Sequence, residues 1–243
     1  MSESAIELQQ LIENYRTPER ARQIVDECEI VLLAGISGAG KDTIKRQLVA
    51  GGGFSDLVSH TTRPPRVNNG QPEVDGREYH FINDNQATQM LKGGEFVEAK
   101  FVHGTVYGTS IKALKDIARQ YKVAVTDIDV QGVAEYKEIS NRVIAMFILP
   151  PDYDIWRQRF AQRYPDKATF EEAFEVRVQT AVDELTKALE VDYYHFIVNQ
   201  DLDKAVSAVR DITARHDRFI DKDVEVRQIA QTLLDDIVRR SSI

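Results

Sequence analysis

Gly35-Ile36-Ser37-Gly38-Ala39-Gly40-Lys41-Asp42-Thr43 follows directly on the apolar run Ile30-Val31-Leu32-Leu33-Ala34, and this junction decides the fold. A short apolar run closed by glycine predicts a buried strand, and the glycine-rich stretch after it predicts a loop and the start of a helix. Spaced glycines let backbone N–H groups turn inward around an anion, the helix N-terminus adds its dipole, and a lysine neutralises phosphate charge. A glycine cluster alone is usually a turn, but strand, loop and lysine in this order point to nucleotide handling. Gly35, Ile36, Ser37, Gly38, Ala39, Gly40, Lys41, Asp42 and Thr43 are therefore candidate phosphate-site residues.

One position departs from the strict pattern. Asp42 stands where Ser or Thr would offer a hydroxyl to Mg²⁺, and the hydroxyl comes one residue later at Thr43. A carboxylate beside phosphate oxygens repels them unless a cation or its water lies between, so Asp42 is expected to hold the metal's hydration shell through water. The plainer alternative is an acidic residue placed in a first helical turn, where the dipole favours it.

The 243-residue chain is 42% hydrophobic and 29% charged, long enough for one domain or a core with inserted lobes. It has no apolar stretch near the ~20 residues needed to span a bilayer and no signal-peptide pattern, which predicts a cytoplasmic protein with no membrane partner. The formal charge of −8 argues against a nucleic-acid partner, so a polyanion site must be a local basic cluster. Arginines gather in two places, Arg63 with Arg66, and Arg157, Arg159 and Arg163 followed by Arg177. The single cysteine, Cys28, lies between Glu27 and Glu29, which raise a thiol pKa, and is read as structural. His60, His80, His103, His195 and His216 lack metal-site spacing, and none is assigned a catalytic role.

Along the chain, Ser4 with Glu7 predicts a capping-box start to a first helix bearing Ile6, Leu11, Ile12 and Tyr15, and Thr17-Pro18 restarts a second. Strands are predicted over 29–34, 78–82, 95–102, 122–128, 142–149 and 194–198, mostly separated by helical patterns, the alternation of an α/β sheet with crossovers. Gly51-Gly52-Gly53 reads as a turn, and Asn68-Asn69-Gly70-Gln71-Pro72 as a surface loop. After Pro150-Pro151, two charged helical patterns joined at Pro165-Asp166 suggest a lid over 151–190, with Trp156 and Phe160 as its packing residues. Residues 217–240 predict a terminal helix whose apolar face, Val224, Val226, Ile229, Leu233, Ile237 and Val238, must be buried on the core or at a subunit contact.

Further motifs carry a resemblance. Ser59-His60-Thr61-Thr62-Arg63-Pro64-Pro65-Arg66 and Glu73-Val74-Asp75-Gly76-Arg77-Glu78-Tyr79-His80-Phe81 closely resemble the acceptor-binding region of guanylate kinases. Glu95-Phe96-Val97-Glu98, Tyr107-Gly108-Thr109, Asp127-Ile128-Asp129-Val130-Gln131-Gly132 and Ile197-Val198-Asn199-Gln200-Asp201-Leu202-Asp203 come next in the same order, over roughly 29–214. The resemblance implies an α/β P-loop nucleoside-monophosphate-kinase fold: a parallel-sheet core over 28–58, 108–150 and 191–214, an inserted GMP-binding lobe over 59–107 and a helical lid over 151–190, flanked by helical extensions at 1–27 and 215–243.

It also implies transfer of the γ-phosphoryl of ATP to GMP, and to dGMP, with Mg²⁺ as cofactor and a monomer or homodimer as the active form. By resemblance, Arg63, Arg66, Tyr79 and Tyr107 would hold the GMP phosphate, Glu98 and Asp129 would accept the guanine N1–H and N2–H donors, and Ser59 and Thr109 would complete base recognition. Lys41, Arg163, Arg177 and Arg159 would stabilise the moving phosphoryl group, Asn199 would help to seat the adenine of ATP, and Asp127 would order a metal-shell water beside Asp42 and Thr43. No catalytic base is needed, because the acceptor is already an anionic oxygen. Two departures stand beside Asp42: the link from Arg66 to Glu73 is about four residues longer than the family's, which a surface loop absorbs, and Ile36 replaces a common proline. Two other readings are a guanylate-kinase-like binding module, which usually has a damaged phosphate loop, and a kinase of another phosphorylated acceptor such as a ribose bisphosphate, a group that also places Asp after the loop lysine.

Overall fold

The computed structural model describes residues 3–68, 70–164, 166–215 and 220–241. Asn69, Pro165, His216 and residues 217–219 of the predicted terminal helix lie outside them. In chain order the elements are α1 (Glu3–Glu13), α2 (Glu19–Glu27), β1 (Ile30–Ala34), α3 (Lys41–Ala50), β2 (Phe54–Asp56), β3 (His60–Thr61), β4 (Val67–Asn68), β5 (Gln71–Pro72), β6 (His80–Phe81), α4 (Asp84–Lys92) and β7 (Phe96–Val102). They continue as β8 (Thr105–Ser110), α5 (Ile111–Ala118), β9 (Val123–Asp127), α6 (Val130–Ile139), β10 (Ile144–Leu149), α7 (Tyr153–Ala161), α8 (Lys167–Leu189), β11 (Tyr194–Val198), α9 (Leu202–Arg215) and α10 (Ile220–Ser241). None of the described helices is long and apolar enough to cross a membrane.

The chain divides into two compact units, one of Met1–Ile30, Phe54–Ala124 and Glu135–Val143, the other of Val31–Gly53, Val125–Ala134 and Ile144–Ile243. The first unit is built on a four-stranded sheet in the order β6-β3-β8-β7, with β3 parallel to β6 and antiparallel to β8. Leu8 of α1, Ala87 and Leu91 of α4, Phe96 and Val106 form a core against which Leu11, Ile12 and Tyr15 pack. The predicted capping box does not form. Helix α1 already includes Glu3, so Ser4 lies within its first turn and its hydroxyl donates to Asp84 Oδ2 (2.8 Å), while Glu7 accepts from Lys92 Nζ (2.8 Å).

The loop expected at 68–72 is instead a small antiparallel hairpin, β4 against β5. Glu73 N–H donates to the Arg66 carbonyl (2.8 Å) at its mouth, so the extra residues project from two positions that are already neighbours.

In the second unit the strands stand in the order β11-β10-β1-β9, with β10 parallel to both β1 and β11. All five residues of β1 and all six of β10 are buried, as a strand covered on both faces requires. Helix α10 packs on α8, β11 and α7, burying Ala230, Leu233 and Ile237. Its buried face is narrower than the sequence suggests: Val224 is 68% and Ile229 40% exposed. Polar contacts complete the docking. Arg227 donates to the carbonyls of Val191 (2.7 Å), Tyr194 (3.4 Å) and Leu189 (3.5 Å), and Arg240 to Asp154 Oδ1 (2.8 Å).

Candidate active site

The phosphate loop is held in shape by backbone conformations only glycine adopts readily. Gly35, Gly38 and Gly40 have φ of +135°, +93° and +99°. Space forbids a side chain at two of them: a Cβ on Gly35 would overlap the Ile148 carbonyl oxygen, and one on Gly40 the Asn199 amide nitrogen. Lys41 opens α3 directly after Gly40, and its ammonium donates to the carbonyls of Gly35 and Ile36. Burial lowers the Lys41 pKa, opposed by the charges of Glu184, Asp127 and Asp42.

Side chains from α7 and the end of β11 brace the same loop. Trp156 Nε1 donates to the Ser37 carbonyl (2.8 Å), Arg163 to Ser37 Oγ (3.2 Å) and Arg159 to the Asn199 carbonyl (2.9 Å). The Asn199 amide donates to the Ala39 carbonyl (2.8 Å) and its backbone N–H to Leu149 (2.8 Å), which makes this buried residue a support of the loop. Trp156 is fully buried among Tyr153 and Phe174, so the packing expected of Trp156 also fixes the loop carbonyl.

Asp127 accepts from Lys45 Nζ at 2.6 Å. Burial raises its pKa, but the Lys45 ammonium and its hydrogen bond, with Lys41, outweigh that and hold the carboxyl below its ordinary value. Asp129 accepts from Gly132 N–H (2.7 Å), closing the first turn of α6. Asp42 is exposed and Thr43 half-buried in the first turn of α3, and Arg177 is exposed on α8.

The first unit gathers Ser59, Arg63, Tyr79, Glu98, Tyr107 and Thr109 on its four-stranded sheet and the loops leaving it; Asp129 belongs to the second unit. Glu98 and Thr109 are cross-strand partners on β7 and β8, beside a register shift between Phe96 and Glu98. Thr109 N–H donates to Glu98 Oε1 (3.0 Å), and the hydroxyls of Thr109 and Ser59 share a hydrogen bond of 3.3 Å. Burial pushes the Glu98 carboxyl up to about 7, against the lowering pull of the Thr109 hydrogen bonds and the Lys100 charge.

Arg63 is gripped by Glu73 through two contacts of 2.9 and 3.0 Å, a forked geometry that fixes the guanidinium plane. Its carbon lies 5.3 Å from the Tyr79 ring centroid, and the Tyr79 and Tyr107 rings are 5.8 Å apart. Glu73 Oε2, one of the two oxygens on Arg63, also accepts from Arg66 N–H (2.8 Å), so Arg63 and the Arg66 backbone are tied to one carboxylate. That hydrogen bond with Arg63 lowers the Glu73 pKa and raises that of Arg63.

Comparison with known proteins bears directly on this arrangement, for the guanylate kinase family model matches residues 27–216. The chain belongs to the guanylate kinase family. Among curated members, the guanylate kinase of Polaromonas sp. is 35% identical over 184 residues, covering 75% of this chain and 85% of that protein. The guanylate kinase of Nitratidesulfovibrio vulgaris is 37% identical over 182 residues (74% and 84%), and that of Sus scrofa 33% over 184 residues (74% and 89%). The crystal structure of guanylate kinase from Anaplasma phagocytophilum superimposes with a TM-score of 0.57 at 25% identity, covering 78% of this chain and 86% of that one. Helix α10 and most of α1 and α2 lie outside the family match.

Three residues of this guanylate kinase family member escaped the sequence reading. Glu73 was legible only as part of a motif, yet it holds the Arg63 guanidinium and the Arg66 backbone N–H. Lys45 lies one helical turn beyond Lys41, on the same side of α3, a spacing that brings it within reach of the β9 terminus. Glu184 comes two turns of α8 after Arg177; burial raises its pKa, while the Lys41 and Arg177 charges lower it.

Proposed function

We propose that this chain transfers the γ-phosphoryl group of ATP to GMP, giving ADP and GDP, and that dGMP also serves as acceptor. The observation that carries the acceptor assignment is the buried Ser59–Thr109–Glu98 chain, an acceptor array suited to the N–H donors of guanine. An adenine edge would offer no N–H to the Glu98 oxygen that Thr109 N–H does not engage, at a cost of about 1–3 kcal/mol or more. Asp129 is proposed as a further guanine acceptor on the family resemblance alone. Arg63, Arg66, Tyr79 and Tyr107 take the acceptor phosphate, the arginines through charge-assisted hydrogen bonds and the phenols without adding charge.

In the reaction an acceptor phosphate oxygen attacks the γ-phosphorus and the oxygen bridging to the β-phosphate leaves with ADP. The protein's work is alignment, exclusion of water and stabilisation of the moving charge. Lys41, Arg159, Arg163 and Arg177 supply that charge, and residues 35–43 cradle the donor phosphates. Asn199 serves the donor site by bracing the loop, and the adenine of ATP is seated beside it.

The Thr43 hydroxyl and the Asp42 carboxylate are hard oxygen groups at a helix start, a set that fits the hydration shell of Mg²⁺. Asp127, like Asp42, would act there through water, since Lys45 already engages its carboxylate. Bound there, Mg²⁺ supplies positive charge to the phosphate oxygens. The intact loop lysine and lid arginines favour an enzyme over a pure binding module, and the guanine-reading set favours GMP over a sugar bisphosphate. We infer a cytoplasmic enzyme, monomeric or homodimeric. A coupled assay of ADP formation with GMP, dGMP, AMP and ribose bisphosphate tests the assignment: turnover with GMP and dGMP is expected, and equal or greater turnover with AMP or the sugar would refute it.

A further inference from the structure

Tyr136 lies on α6 with its side chain fully buried, and among the described residues its hydroxyl has no hydrogen-bond partner of ordinary geometry, the Thr109 side chain being the polar group within its reach. A buried phenol oxygen without a partner carries a desolvation penalty that phenylalanine of the same shape avoids, so the oxygen calls for a use in another state of the protein. Its surroundings indicate which. The phenol is beside the Thr109 side chain and within the field of the Glu98 carboxyl: burial and the Glu98 charge raise its pKa, Thr109 lowers it, and Glu135 adds to the rise.

The groups facing Glu98 are few. Thr109 on β8 donates to it, Lys100 on β7 is a cation in its vicinity, and α6 contributes Glu135 and Tyr136. Lys100 is itself paired with Glu135 (3.5 Å). While Glu98 carries its proton, the Thr109 backbone N–H and side chain suffice. Once it ionises to accept guanine N–H groups, it must be held in orientation by donors that add no charge, and a phenol that keeps its proton is such a donor.

We propose that Tyr136 is a positioning residue of the base site, whose O–H donates to the Glu98 carboxylate as the acceptor purine binds and fixes the face that carboxylate turns to the guanine edge. This rests on the reading of the acceptor as GMP. The substituent that matters is one oxygen, so the test is Tyr136→Phe in the full-length chain.

Calorimetric titration with GMP and steady-state kinetics from pH 5.5 to 9 are expected to show GMP affinity weakened roughly tenfold, as for loss of a hydrogen bond to a charged group. The KM for GMP rises in parallel while kcat and the KM for ATP stay near the parent values, and the acid limb of kcat/KM for GMP moves to higher pH. The ligand-free variant melts at or above the parent temperature, because an unpaired polar atom has been removed. An unchanged GMP affinity with an unmoved acid limb would overturn the proposal and leave the hydroxyl a packing accident. Should Tyr136→Phe not fold, 3-fluorotyrosine at position 136 keeps the shape with a stronger donor, and the acid limb must then move to lower pH; no movement again overturns the proposal. Glu98→Gln run alongside separates the two readings. If that variant loses GMP while Tyr136→Phe is indifferent, only the role of Tyr136 falls; if the unaltered chain binds no GMP, the functional reading falls and takes this one with it.

Discussion

Glu98→Gln should make the protein more stable and less able to bind GMP, with the first effect absent below about pH 4.5 and growing as pH rises to 7. The carboxyl is raised from an ordinary value of 4.5 to about 7, chiefly by burial. At 1.36 kcal/mol per pH unit, that displacement is on the order of 3 kcal/mol. Below about pH 4.5 the group is protonated whether the chain is folded or not, so it has no pH-linked effect there. As pH rises toward 7 the unfolded chain ionises while the folded one must hold a proton, and folding stability is progressively lost; above 7 the loss is complete.

Glutamine keeps the acceptor for Thr109 N–H and never ionises, so it escapes the loss. Scanning calorimetry should find the two proteins alike near pH 4 and the variant more stable at pH 8.5, by roughly 6–12 °C at about 2–4 °C per kcal/mol. Titration with GMP at pH 8 should show affinity weaker by roughly 5-fold to 150-fold, from about 1–3 kcal/mol of hydrogen bonding to the guanine edge. A melting difference that is the same at both pH values would refute the burial argument. Unaltered GMP binding would remove Glu98 from base recognition.

Lys41→Met should abolish phosphoryl transfer while the melting temperature stays within a few degrees; normal turnover would refute the loop assignment. Asp42→Ser removes one negative charge from the start of α3 and should raise the Mg²⁺ concentration for half-maximal rate by roughly fivefold, about 1 kcal/mol of attraction; an unshifted magnesium titration would show Asp42 to be a bystander. Arg227→Ala deletes the donor to three carbonyls and a cation over Phe196, 4.9 Å from its ring centroid. It should lower stability by about 2 kcal/mol in urea unfolding and speed amide exchange in α10 first; uniform exchange along the chain would contradict the docking.

The legible parts of this fold were those with strong periodicity or forced backbone geometry. Continuous apolar runs such as Ile30–Ala34 and Ile144–Leu149 can only be buried strands next to glycine or proline punctuation, and both are. The phosphate loop was legible because the glycines and the lysine are required by steric space and charge, which a sequence states directly. Strands of two or three residues, such as His60–Thr61, carry too few alternations to register, and Thr105–Ser110 is masked by Gly108, whose lack of a side chain makes room for the Phe96 ring. Motif order proposed Ser59, Glu98 and Thr109 as a set, and the β7–β8 pairing brings them together. What no spacing could show were the second partners: the carboxylate of Glu73 on Arg63, the ammonium of Lys45 on Asp127 and the phenol of Tyr136 behind Glu98. Each depends on contacts between segments remote in sequence or on which way a side chain leaves its helix.

The hairpin at Val67–Pro72 has a use beyond explaining an insertion. Because Arg66 and Glu73 are bonded across its mouth, the stem outside them can change length without moving the guanidinium that Glu73 holds. Each doubling of such a loop costs only about 0.6 kcal/mol. The stem is thus a natural splice point, where a peptide epitope or a fluorophore can be grafted within a few residues of Arg63 and Arg66 and report on their surroundings while the grip on Arg63 stays intact.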